Sequence, residues 1–183
     1  MKKFNYSIQA LFYFLFVGLL LVTSLSCSSQ RPSGSFHKEE VCPFTNASRS
    51  PEEIANLFLS ALQKRDEEAI WNLRVTKDEY FNILWPPYEK IGGGPPNFSW
   101  SLNFTDSKKS IGRALADYGG RKLTLVRVYF AKGQDQTRVS APFVIWRDFR
   151  IVVKDEQGLE GELNYINTVI EMNGCYKVCV FHS

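Results

Sequence analysis

Histidine is scarce in this 183-residue sequence, which has only His37 and His182. No His pair or His/Cys cluster has metal-ligand spacing, so no metal is expected, and no other cofactor either. There is no Gly-x-Ser-x-Gly elbow of the kind that presents a serine nucleophile. Charge of one sign is also missing: 22 Lys and Arg face 19 Asp and Glu. That balance excludes a nucleic-acid binder that relies on a basic surface. Four cysteines are too few for a miniprotein built on disulfides. Twelve glycines and eight prolines are too few for a fibrous or broadly disordered chain. What remains is the length and composition of one ordinary domain.

The N-terminal end has its own pattern. Lys2 and Lys3 open the chain, no acid precedes Glu39, and residues 10–22 read ALFYFLFVGLLLV without a charge or an amide. A basic start before an apolar run of this length resembles a secretory signal, and the run is short for a membrane span. Ser24, Leu25, Ser26 and Cys27 follow. A small residue before a cysteine at the end of an apolar run resembles the lipobox of bacterial lipoproteins. The resemblance implies cleavage after Ser26, acylation of Cys27 (palmitate among its chains), and a mature chain held to the bilayer by lipid. Ser28 is not an inner-membrane-retention Asp, so the resemblance implies a cell-envelope address, at the outer membrane or facing the periplasm. Cleavage takes Lys2 and Lys3 with it and leaves the mature chain close to neutral. More than one acyl chain gives stable anchoring without a membrane-binding face on the polypeptide.

Residues 27–49 read as the lipidated cysteine and a polar, flexible tether, and residues 50–183 as the folded domain. Ser50-Pro51-Glu52-Glu53 is a helix start, followed by Ile54, Leu57, Phe58, Ala61 and Leu62 on one face. Asp66-Glu67-Glu68 starts a short second helix. Thr76-Lys77-Asp78-Glu79 is a capping box for a third, which Pro86-Pro87 is expected to stop. Gly92-Gly93-Gly94-Pro95-Pro96 is a flexible loop and not a phosphate loop, because no Gly-Lys-Ser/Thr follows and proline lacks the N–H. Ser99–Thr105 reads as a short strand and Ser107–Tyr118 as a helix. From Leu123 the apolar period becomes two, giving strands over 123–131, 137–146, 149–154, 159–171 and 176–181. Turns are expected at Lys132–Asp135, Asp155–Gly158 and Met172–Gly174, and Pro142 marks a bulge or an edge. Helices followed by an antiparallel meander make an α+β domain.

That order resembles the nuclear-transport-factor-2-like domain, the cystatin-like α+β cone of helices on a curved antiparallel sheet. Ser50–Asp66 looks like its opening helix, and Asn173-Gly174-Cys175-Tyr176-Lys177-Val178 looks like its closing strand, with Tyr176 in the place of a Trp. The resemblance implies a cone with a pocket between helices and sheet. It also implies a homodimer through the open sheet face as one option. Fold does not carry function here, because the superfamily holds isomerases, dehydratases, adaptors and inactive modules.

The pocket candidates are Arg127, Tyr129, Tyr165 and Asn167. A period of two places Arg127 and Tyr129 on one strand face with Leu123 and Leu125, and Val126, Val128 and Phe130 on the other. Arg127 then points outward, or, if both faces are covered, pairs or lines a polar pocket. Tyr165 and Asn167 form a second such set. Asp117 and Asp148 read as solvated or capping carboxylates, and the two histidines as exposed bystanders. No residue is assigned a catalytic role. Cys175 and Cys179 lie about 13 Å apart along one regular strand, too far to pair with each other. Cys42 can reach Cys175 or Cys179 and so pin the tether, or all three stay reduced; export favours the bridge. The leading reading is a membrane-anchored binding or scaffold module without catalysis, its protein or small-molecule partner unidentified. The alternative is a small pocket enzyme of the isomerase or dehydratase type.

Overall fold

A computed structural model of the chain describes residues 41–89, 95–135 and 141–182. The signal-like segment, Cys27, His37, the Gly92–Gly94 loop and the start of the strand expected over 137–146 lie outside the described residues. The domain is α+β, with helices first and a four-stranded antiparallel sheet after them.

Helix α1 spans Pro51–Lys64. Ser50 caps it by accepting the Glu53 amide at 3.1 Å, and Arg65 ends it in the left-handed region at φ 57°. Helix α2 spans Glu67–Asn72 and is capped by Asp66, which accepts the Ala69 amide at 2.9 Å. Thr76 and Glu79 satisfy each other's backbone amides and open α3, Lys77–Glu79. The helix then widens into a π-helical turn over Tyr80–Leu84 and continues as α4, Trp85–Glu89. Pro86 and Pro87 therefore do not stop it. The Trp85 amide bonds back five residues to the Tyr80 carbonyl. The wider turn lets the prolines occupy the first turn of α4, where their missing amides would lack a partner anyway.

Helix α5 spans Pro96–Tyr118. It replaces the strand expected over Ser99–Thr105. Phe98, Trp100, Leu102 and Phe104 alternate with polar residues, which suggested period two. In a helix the same spacing makes two i,i+4 pairs, Phe98/Leu102 and Trp100/Phe104, on opposing sides.

The sheet is a meander of β1 (Thr124–Gln134), β2 (Val144–Lys154), β3 (Glu160–Met172) and β4 (Cys175–Phe181). Asn173 and Gly174, at φ 54° and 69°, close the two-residue β3–β4 turn, for which left-handed residues are needed. Lys132–Asp135 is not the expected turn. β1 runs through it to Gln134, and Gly133, at φ 64°, takes up a bulge against β2. The strands expected over 137–146 and 149–154 join as one, with Asp148 at φ 62° inside it. Pro142 sits just before that strand instead of within it. Further bulges fall at Val126, around Asn164–Tyr165 and at Cys179, and each adds bend and twist.

Two apolar clusters flank the sheet. The first joins Ile54, Phe58 and Leu62 of α1 and Ile111 of α5 to Phe149, Ile151, Leu163, Val169, Val178 and Phe181. The second joins Phe44, Val75, Tyr80, Leu84 and Trp85 to Ile145, Ile170, Cys175 and Cys179. Val169 and Ile170 are neighbours in β3 and belong one to each cluster, so the clusters lie on opposite faces. Residues 41–49, read from sequence as the end of a tether, are packed: Phe44 and Ser48 are buried, and Ser48 pairs with Tyr176.

Candidate functional site

Beside the second cluster lie the buried charges of the described residues, Lys177, Glu79 and Arg74. Residues 42–48 run as a strap beside β4. Ser48 and Tyr176 exchange backbone hydrogen bonds of 3.0 and 2.8 Å, and Cys42 is joined to Cys175 by a disulfide with Cα atoms 5.9 Å apart. Cys179 is buried and outside that bridge. Lys177 lies between the two cysteines on β4 and is 1% exposed. Its Nζ donates to the carbonyls of Thr45, Asn46 and Asn72, the last at 3.0 Å. Burial pushes this ammonium's pKa down, and the nearby Glu79 charge opposes the push.

Glu79 is 6% exposed and accepts from the Thr45 amide at 2.6 Å, the Thr45 hydroxyl at 2.8 Å and the Thr76 amide at 2.7 Å. Burial alone would raise its pKa. The Thr76 and Thr45 hydrogen bonds and the Lys177 charge more than reverse that, holding the carboxyl below its usual range. Arg74 is 4% exposed; its Nε donates to the Cys179 carbonyl at 3.1 Å, and its guanidinium lies 4.3 Å from the Trp100 ring. Burial lowers its pKa, against the raising influence of Cys179 and Tyr80. These groups tie strap, helix and strand together and are themselves closed off from solvent.

A space able to take a ligand lies elsewhere. An open cleft of about 650 Å³ lies where α1 and α5 end against the β2–β3 turn. Gln63, Tyr118, Lys122 and Asp155 give it donors and acceptors, and Leu123 and Leu163 give it an apolar floor. The described groups with shifted proton affinity are Arg74, Glu79, Tyr129, Tyr165, Tyr176 and Lys177, and none of them lines this cleft. Among the described residues no group of three His, Cys, Asp or Glu could hold a metal ion.

The four residues expected to line a pocket occupy three settings. Arg127 and Tyr129 sit together on the outer sheet face, the guanidinium 5.0 Å from the ring. Tyr129 donates to Glu162 at 2.6 Å, which raises its pKa, and Arg150 bridges Glu162 and Asp148 at 3.2 and 2.7 Å. Leu123 and Leu125 are not on their face. The bulge at Val126 reverses the alternation, so those leucines pack with Val128 and Phe130 on the first cluster. Tyr165 belongs to that cluster and donates to Asp117 on α5 at 2.6 Å. Burial first, then Asp117, pushes its phenol pKa well up, so it stays a proton donor. Asn167 is half-buried and accepts from the Thr168 hydroxyl at 2.9 Å. Cys27 lies outside the described residues.

Sequence reading passed over Arg74, Glu79 and Lys177. The available signal was a charge inside an apolar run: Lys177 within Tyr176–Phe181 and Arg74 between Leu73 and Val75. Glu79 was read only as a helix cap. No family model, no curated protein and no solved structure matches this chain.

Proposed function

We propose that this chain is an exported, lipid-anchored module that binds a partner or small molecule in the cell envelope without transforming it. Its domain is a nuclear-transport-factor-2-like cone. The observation that carries the reading is the Cys42–Cys175 disulfide beside a signal-like N-terminal sequence. Disulfides persist in oxidising compartments, and this one roots the chain that leads back to Cys27. The α+β order and the bulged antiparallel strands support the cone. The mixed lining of the cleft supports recognition of a polar ligand with an apolar portion. Mass spectrometry of the mature N-terminus tests the anchor. The expected result is a chain starting at an acylated Cys27; an unmodified N-terminus on either side of that cysteine overturns it.

A further inference from the structure

Pro96–Thr105, the first ten residues of α5, carry no charge. Trp100 and Phe104 turn toward the body of the domain: Trp100 lies 5.2 Å from the Tyr80 ring, and Phe104 stacks at 5.0 Å on Trp71. Phe98 and Leu102, one turn apart on the opposite side, are 63% and 50% exposed. None of these ten residues is fully buried. A helix that is apolar on both sides is normally covered on both sides. One side of this half-helix is held by ring contacts, with Phe104 still 43% exposed, and the other side carries the more exposed Phe98 and Leu102.

The described chain begins at Val41 and Cys42, which are held by Asn173 and Cys175 at the β3–β4 end of the sheet. Cys27 and Cys42 are 15 residues apart, which caps the reach of the segment between them at about 50 Å. On the lipid-anchor reading, the bilayer is therefore always within reach of the domain. An uncharged half-helix bearing Trp, Phe and Leu suits the headgroup boundary, because no charge has to be desolvated.

We propose that Phe98 and Leu102 seat α5 on the bilayer surface, so that the anchored domain is held in one orientation instead of swinging on its lipid. This rests on the anchor reading, and the two are separable by experiment. Full-length protein is reconstituted in phosphatidylcholine vesicles whose acyl chains carry bromine, and tryptophan quenching and flotation are both measured. Quenching should fall at least twofold in Phe98→Ser/Leu102→Ser relative to wild type, while flotation stays equal. Phe98→Trp keeps an aromatic at the contact and should raise quenching above wild type. Equal quenching in all three, or none in any, overturns the proposal. So does absence of quenching together with a cross-linked dimer that the double substitution abolishes, which would give the face to a second copy. Mass spectrometry of the same protein judges the anchor alone. If its N-terminus is not an acylated Cys27, the anchor reading fails, while quenching still decides whether α5 touches lipid.

Discussion

Under α1 the sheet meets Ile54, Phe58, Leu62, Ile111 and Phe181, whereas on its other face the strap and α3 enclose Lys177, Glu79 and Arg74. Both regions exclude water, by different means. In the first, each large side chain contributes about 1.5–3 kcal/mol through removal of apolar surface from water. In the second, charges are taken out of water: backbone carbonyls receive Lys177 and the Arg74 Nε, backbone amides reach Glu79, and the buried Arg74 Nη2 is left without a hydrogen-bond partner. The first region is hard to break at any pH. The second depends on pH and on the redox state of Cys42 and Cys175.

The largest expected effect is in the first region. Phe58→Ala removes a ring with no solvent exposure that lies 6.0 Å from Phe181. The transfer loss and the cavity together cost about 3–5 kcal/mol, read as a lower midpoint in denaturant. The loss should be the same at pH 4 and pH 7. A pH-dependent loss would mean that the two regions are not separable.

Cys42→Ser comes next. Opening a disulfide typically costs about 2–4 kcal/mol, and this one spans a sequence separation of 133 residues. Beyond that global loss, which α1 shares, amide exchange should accelerate further in residues 42–48 and at Tyr176, whose amide the strap carbonyl receives. Uniform acceleration would show that the strap is part of the main folding unit.

Glu79→Gln tests the charges. A carboxyl held below its usual range binds fewer protons folded than unfolded, so it adds stability above its unfolded pKa and loses it as pH falls through the folded value. Wild type should therefore weaken steadily below about pH 4.3. The variant should start about 1–3 kcal/mol lower at neutral pH and show a flatter acid limb. Lys177 acts at the other end of the scale. Its depressed pKa means that the unfolded chain holds the proton more tightly, so its contribution rises with pH in the alkaline range. An acid limb unchanged by Glu79→Gln would remove this carboxylate from the account.

The two regions also differ in how far they can be read from sequence. Ser50, Asp66 and the Thr76/Glu79 box state their helices outright, because a cap is a local exchange of hydrogen bonds. The apolar period of α1 points to its buried face. Sequence reading goes astray where the backbone changes phase. The Val126 bulge turns Arg127 and Tyr129 away from their leucines, and Gly133 at φ 64° holds a bulge where a turn was expected. Phe98–Phe104 alternates like a strand, yet it is a helix whose two apolar sides meet different surroundings. Lys177 and Arg74 are invisible to periodicity, because their hydrogen-bond partners lie 105 to 132 residues away in the chain, and Glu79, beyond its local Thr76 cap, is held by Thr45, 34 residues away. Lys177 reaches Thr45 and Asn72, and Arg74 reaches the Cys179 carbonyl. Distances of that order in sequence carry no local signal.

The smallest effect is expected at Tyr165, where the first region carries a polar group of its own. Its ring packs edge-on against Tyr118 at 5.9 Å, while its hydroxyl reaches Asp117 at 2.6 Å. Tyr165→Phe keeps the ring and removes the hydrogen bond. Asp117 is exposed, so water can take the place of the lost donor and the change should cost about 0.5–1.5 kcal/mol. Burial and the neighbouring carboxylate both hold this phenol protonated. In an alkaline absorbance titration of the folded protein, wild type and Tyr165→Phe should therefore release the same number of tyrosine protons up to the pH at which the domain unfolds. One fewer in the variant would mean that Tyr165 ionises within the fold, and that the region under α1 admits more water than its apolar composition implies.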